Sequence, residues 1–254
     1  MKTFNSYFKK EIVEATRTNK YLILFIGSVF WALLNPLILK LLPLFFKSLP
    51  IDLSAIFSEF NRDAVFLSFL GDFFEVGTIF FALTLMGIIS NEVYYRRLVF
   101  PYSSGASPAG MILAKYTHYS LTFSIFILIA FLTNYFYTNR LFEGGILGIG
   151  IVIRSSLLYI LYYAFLLSLL ILLSSLFRRG LAAGITVIVL GYTLTIFNQV
   201  ARIRAYLPSY LLFKAADISN VFDNTLIPTI IVSVVLIAVF IFLSVLRMKK
   251  IDIA

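Results

Sequence analysis

The chain has 254 residues, 61% hydrophobic and 13% charged, against roughly half and a quarter in an average soluble domain, so it lacks the polar surface to cover a water-facing globule. It has no cysteine and one histidine, which excludes disulfides, thiolate metal sites and cysteine nucleophiles. A net charge of +9 would suit nucleic acid in a soluble protein, but here the basic residues lie between long apolar runs and act as topology signals; no nucleic-acid partner is expected.

At the N-terminus, Phe4, Tyr7, Phe8, Ile12 and Ala15 recur at three- and four-residue spacing, with Lys10, Glu14 and Arg17 on the other face. This predicts an amphipathic helix over residues 1–20 lying in the membrane interface, its basic face toward headgroups. A bilayer crossing needs about 20 mostly apolar residues, and six stretches qualify: 21–39, 73–90, 116–137, 155–177, 181–197 and 226–246. The fold class expected is an all-α membrane protein, one transmembrane domain of six helices spanning 1–254. The first run is long, follows a polar arm and has no small-residue cleavage site after it, so it reads as a retained span. Pro36 should kink that span, as membrane helices tolerate.

Lys and Arg fix the orientation. Lys2, Lys9, Lys10, Arg17 and Lys20 precede the first span; Arg96, Arg97 and Lys115 lie between the second and third; Arg178 and Arg179 between the fourth and fifth; Arg247, Lys249 and Lys250 follow the sixth. These are 13 of the 21 basic residues, so both termini are expected in the cytoplasm of a cell whose plasma membrane holds the chain.

The connection from residue 91 to 115, NEVYYRRLVFPYSSGASPAGMILAK, is too apolar for a linker and too short for a domain. A short helix over 92–100 would offer Glu92, Tyr94, Tyr95, Arg96, Arg97, Leu98 and Phe100 to a protein partner, and Pro101 would end it. Ser103 to Gly105 make a turn; Ser107 has the chemistry of an N-cap and Pro108 of a first helical residue. The segment 91–107 is thus a candidate coupling element.

Asp72 and Glu75 lie one helical turn apart near the start of the second span, and Arg154 opens the fourth. Ionisable groups there should face protein or water: either a pairing of Asp72 or Glu75 with Arg154 makes a candidate external gate, or the apolar spans start later and all three are headgroup-level charges. Lys115 and His118 read as snorkelling or interfacial groups at the inner end of the third span. Arg178-Arg179-Gly180 predicts a tight turn that sets the fourth and fifth spans antiparallel and adjacent. Gly144, Gly145, Gly148 and Gly150 allow either close helix packing or a short re-entrant segment.

The order of these parts resembles the permeases of the type-2 ABC exporter family, of the bacterial peptide- and drug-exporting kind. Those have an interfacial elbow helix, six spans and a coupling helix between the second and third. Their coupling connection often carries a Glu and a basic stretch, then Pro-Val-Ser-Arg and an apolar run ending in Gly-Lys. Here Glu92, Ser107, the run Met111 to Leu113, Ala114 and Lys115 stand at the matching places. Gly105 and Pro108 depart from the Pro and the Arg, and Tyr94 to Arg97 lack the usual Gly-Thr. The family often folds the outer connection before the last span into short helices, and residues 198–225 are similar.

The resemblance implies a permease subunit moving an amphipathic peptide, toxin or drug outward by alternating access. Its partners would be a separate ABC ATPase subunit, which would bind ATP and Mg, and a second copy or sister permease. No G-x-x-x-x-G-K-[ST] loop occurs in this chain, so it is expected to be no enzyme and to hold no cofactor. Two other classes compete. An ion-coupled secondary transporter would want internal repeats and midplane charges; an intramembrane enzyme would want an H-e-x-x-H or G-x-S-x-G constellation, and neither is present.

Overall fold

Helices carry nearly all of the computed structural model, which describes residues 2–46, 60–219 and 226–250, and no strand occurs among the described residues. Helix α1 (Lys2–Arg17) precedes the first span, which is built of α2 (Lys20–Phe25), a π-turn (Ile26–Phe30) and α3 (Trp31–Phe46). The second span joins α4 (Arg62–Leu85) to α5 (Ser90–Tyr94), and α6 (Val99–Ser103) leads to the third, α7 (Pro108–Leu141). The fourth and fifth spans are α8 (Ile149–Leu176) and α9 (Gly180–Ile196); short α10 (Tyr210–Ala215) precedes the sixth, α11 (Leu226–Lys249). Among the described residues six helices are therefore long and apolar enough to cross a membrane, as expected from the apolar runs, and the chain is a multi-pass membrane protein.

Apolarity alone placed several span ends too far inward. The second span starts at Arg62 rather than near 73, because the Asn61 side chain accepts the Ala64 amide at 2.9 Å and Asp63 sits in the positive first turn. Asp63 also closes the turn before the fourth span, accepting the amides of Ile146 and Leu147 at 2.9–3.1 Å. Gly144 and Gly145 supply positive φ there, and a Cβ on Gly145 would meet the Asp63 carboxylate at 2.6 Å. Gly144 and Gly145 thus shape a capped turn, which is neither the close helix packing nor the re-entrant segment expected of them.

The fourth span is the centre of the bundle. In its most apolar stretch 67% is buried, against 17% in the sixth, and it packs on the third, fifth and sixth spans and on α10. Around it Phe69 and Phe73 of the second span, Phe131 of the third and Tyr159 of the fourth form an aromatic cluster, with Phe131 centred 5.1 Å from Phe69 and 5.2 Å from Tyr159. No water is at hand in a bilayer to satisfy a phenol, and the hydroxyls of Tyr159 and Tyr163 donate to the carbonyls of Leu70 (2.7 Å) and Phe73 (3.2 Å). Much of the aromatic content is therefore internal packing.

The first span continues as α-helix through Pro36. Proline cannot bond the carbonyl four residues back, and that carbonyl, of Ala32, accepts the side-chain amide of buried Asn134 at 3.2 Å. The third span thus repairs the gap that Pro36 opens in the first.

Gly180 and Gly184 form a small-xxx-small pair that lets the fifth span approach the second. A Cβ on Gly180 would stand 2.9 Å from the Gly87 Cα, and one on Gly184 would stand 2.8 Å from the Met86 Cβ and 3.3 Å from the Ala82 carbonyl oxygen. Because Gly180 meets backbone, Gly180→Val should force the helices apart and cost about 1–3 kcal/mol of overpacking. A lowered thermal midpoint in detergent checks this, with Gly71→Ala, whose Cβ would meet nothing within 4 Å, as the neutral control. The turn at Arg178 and Arg179 does set the fourth and fifth spans side by side.

Candidate functional site

One end of the bundle carries α1, the 91–115 connection and the fourth-to-fifth turn, and here charges gather inside the protein. Helix α1 packs along the third span. Its buried stripe is Tyr7, Glu11 and Ala15, while Ile12 is 40% exposed, so the expected apolar face is rotated and Glu11 takes its middle.

A carboxylate in that place needs a counter-charge, and Lys115 supplies it. The Lys115 ammonium donates to Glu11 Oε1 at 2.5 Å and to Glu92 Oε1 at 3.0 Å, with the lysine side chain 3% exposed. Lys10 pairs with Glu92 as well, and lies 3.2 Å from Glu11 and from Glu14. Lys20 completes the set, bonding Glu14 at 3.0 Å and the Tyr119 hydroxyl at 3.2 Å. Three ammonium groups balance three carboxylates. Glu11, Glu14 and Glu92 could together hold a metal ion by spacing, their oxygens lying within 4.8 Å of one another, but the lysines occupy that role.

His118 borders the cluster, 3% exposed, its Nε2 3.2 Å from the Tyr21 hydroxyl and its ring edge-on to Phe8 at 5.5 Å. Lys115 and His118 therefore do not snorkel: partners on α1, the first span and α5 hold them inside. Sequence spacing could not show this, since Glu11 and Lys115 are 104 residues apart.

The charges set each other's protonation. Burial pushes the Glu14 carboxyl up, but Lys20 and Lys10 outweigh it and hold the group at about 2. Glu11 is likewise raised by burial and lowered, on balance, by Lys115 and Lys10. Burial pulls the Lys10 ammonium down, while Glu92 and Glu11 carry it above its usual 10.5. Burial, with Glu92 beside it, lifts the Tyr102 phenol to about 12, so it stays neutral. The depressed carboxyls contribute stability that is present above their ordinary 4.5 and lost as pH falls toward 2; the raised lysine contributes below 10.5 and fades above it. Thermal midpoints should thus be level between those limits and drop on the acid side, with a shallower acid drop in Glu14→Gln; identical acid limbs would contradict the pairing.

The connection above the cluster is two short helices, not one. Arg96 takes a left-handed φ of 53°, which breaks the expected helix over 92–100. Pro101 sits inside α6, in the first turn, where its missing N–H costs no intrahelical bond. Ser107 and Pro108 cap the third span as expected, the serine hydroxyl accepting the Gly110 amide at 3.2 Å. Of the seven residues expected to meet a partner, Glu92 and Leu98 turn inward, at 5% and 2% exposure. Tyr94, Tyr95, Arg96, Arg97 and Phe100 face out, with Phe100 79% exposed. Arg97 lies over the Tyr95 ring at 5.4 Å, and Tyr94 packs edge-on to Tyr95.

At the other end of the bundle the expected gate charges are not brought together. Asp72 accepts the Asn35 side-chain amide at 2.7 Å. Arg154 donates to the carbonyls of Asp217 and Lys214, and Ser155 to that of Ala215 at 2.7 Å, so both secure the C-terminal end of α10 against the fourth span. Glu75 lies on an exposed face of the second span, where its backbone carbonyl accepts the Tyr192 hydroxyl at 3.1 Å. Residues 197–219 form two 3-10 turns and α10, in keeping with the short helices expected there; 220–225 lie outside the described residues. No family model, no curated protein and no solved structure matches the chain.

Proposed function

We propose that the chain is the permease subunit of an ATP-driven exporter, with α1 as its interfacial elbow, the Ser90–Ser103 helix pair as its coupling element and both termini cytoplasmic. The observation that carries this reading is the pairing of an exposed aromatic and basic surface with a rigid mount. Tyr94, Tyr95 and Phe100 stand out from the bundle beside Arg96 and Arg97, while Glu92 and Leu98 of the same segment are buried. Aromatic and arginine side chains are the commonest anchors of protein interfaces. A push on them passes through Glu92 to Lys115 and Glu11, hence to the third span and α1 together.

In this reading the partner is an ABC ATPase that binds ATP and Mg, and two such permeases, identical or sister, make the pathway. ATP binding would draw the helix pair with the ATPase and bias the spans between inward- and outward-facing arrangements, releasing an amphipathic peptide, toxin or drug outward. The chain itself would perform no covalent chemistry. Gentle solubilisation from native membranes and affinity purification test this directly. A stoichiometric subunit bearing a G-x-x-x-x-G-K-[ST] loop is the expected companion; purification of the chain without any nucleotide-binding subunit would count against it.

A further inference from the structure

At the end of the bundle away from the ion cluster, a cleft of about 750 Å³ opens between the second, fourth and fifth spans and the segment before the sixth, lined by Gly71, Phe74, Glu75, Tyr192, Arg204 and Phe213 among others. Glu75 lies thirteen residues into the second span from Arg62, about 20 Å along a helix rising about 1.5 Å per residue. It makes no ion pair with any described residue. A carboxylate on a membrane-spanning helix calls for water or a counter-charge rather than lipid.

The surroundings of Glu75 suit a cation. The hydroxyl of Tyr192 bonds the Glu75 carbonyl, which holds the phenol beside the acid, and Phe74 packs edge-on to Tyr192 at 5.1 Å. Ring faces attract positive charge through their quadrupole, most strongly where water is scarce. Arg204, eight residues beyond α9, also lines the cleft and lies over the Tyr210 ring at 5.6 Å. The cleft lining thus carries one carboxylate, on the second span, and one guanidinium, on the connection that follows the fifth.

From the unpaired carboxylate and the aromatic pair beside it we infer that the cleft binds cationic amphipaths, with Glu75 as the counter-ion, Phe74 and Tyr192 as the aromatic wall and Gly71 leaving room for the apolar body. The substrate class rests on the exporter reading; the binding site does not require it. A lipophilic amine and the basic side chain of a peptide share this chemistry.

The test uses the purified full chain in phosphatidylcholine nanodiscs, without any ATPase, and reads the fluorescence anisotropy of rhodamine 6G, a lipophilic monocation, against empty nanodiscs. Saturable binding is expected, weakened at least tenfold by Glu75→Gln and similarly by Gly71→Leu, which fills the cleft at a position where a Cβ meets nothing within 4 Å. Thermal midpoints of both variants should match the wild type. Displacement by dodecylamine, by a lysine-rich amphipathic peptide or by both would support the site and name its natural source. Binding indifferent to Glu75→Gln, or displaced by neither competitor, would overturn it. Because no motor is present, a chain that binds the probe but recruits no ATPase defeats the exporter reading alone, and the reverse defeats this inference alone.

Discussion

Lys115→Met is expected to destabilise the protein by about 3–5 kcal/mol, the usual cost of removing one partner from a buried ion pair. Glu11 and Glu92, 1% and 6% exposed in their side chains, would keep only Lys10 between them. Thermal unfolding in detergent should show the loss, and limited proteolysis at Lys9 and Arg17 should speed up as α1 loosens from the third span. The double variant Lys115→Met with Glu11→Gln removes both the ammonium and one orphaned charge, so it should recover a large part of the deficit. A single variant as stable as the wild type, or a double variant worse than the single, would show that the cluster does not hold α1 in place.

Phe100→Ser is expected to act in the opposite way, leaving stability unchanged while weakening association with the proposed ATPase partner. An interface anchor contributes about 2 kcal/mol or more, near thirtyfold in affinity, and a Tyr94→Ser, Tyr95→Ser, Phe100→Ser triple variant should abolish co-purification. The buried neighbour gives the contrast. Leu98→Ala should cost about 2–5 kcal/mol of stability through its cavity, with any loss of partner binding following from that. If the triple variant retains the ATPase in full, the aromatics serve the membrane interface instead.

The spans were legible because lipid imposes one rule along the whole length of a helix, and length and apolarity report it. The ends of the spans were less so: Asn61 and Asp63 begin the second helix well before its apolar stretch, and capping of that kind is visible in the sequence once Ala64 and the following helix are considered together. Ser107 and Pro108 were read correctly because a cap is a local matter. The ion cluster was not legible, since α1, α5 and the third span meet only in three dimensions. A Glu in the middle of an otherwise apolar helical stripe, four residues from both Tyr7 and Ala15, was the one available signal, and its natural reading was a blurred face. Gly180 and Gly184 stand at four-residue spacing in the sequence, but that spacing does not say which helix they approach. The Asp72, Glu75 and Arg154 set failed for a different reason: similar depth does not bring side chains together when Asn35 and the carbonyls of Lys214 and Asp217 are nearer partners.

As proposed, this chain is half of a pathway powered by another subunit. It is tested most directly in proteoliposomes loaded with a labelled cationic amphipath, assayed with and without the co-purified ATPase and ATP and with and without an imposed proton or sodium gradient. The label should move only when the ATPase and hydrolysable ATP are both present, and movement should be lost in the Tyr94, Tyr95 and Phe100 triple variant. Movement driven by an ion gradient through the chain alone would contradict it and identify a secondary transporter.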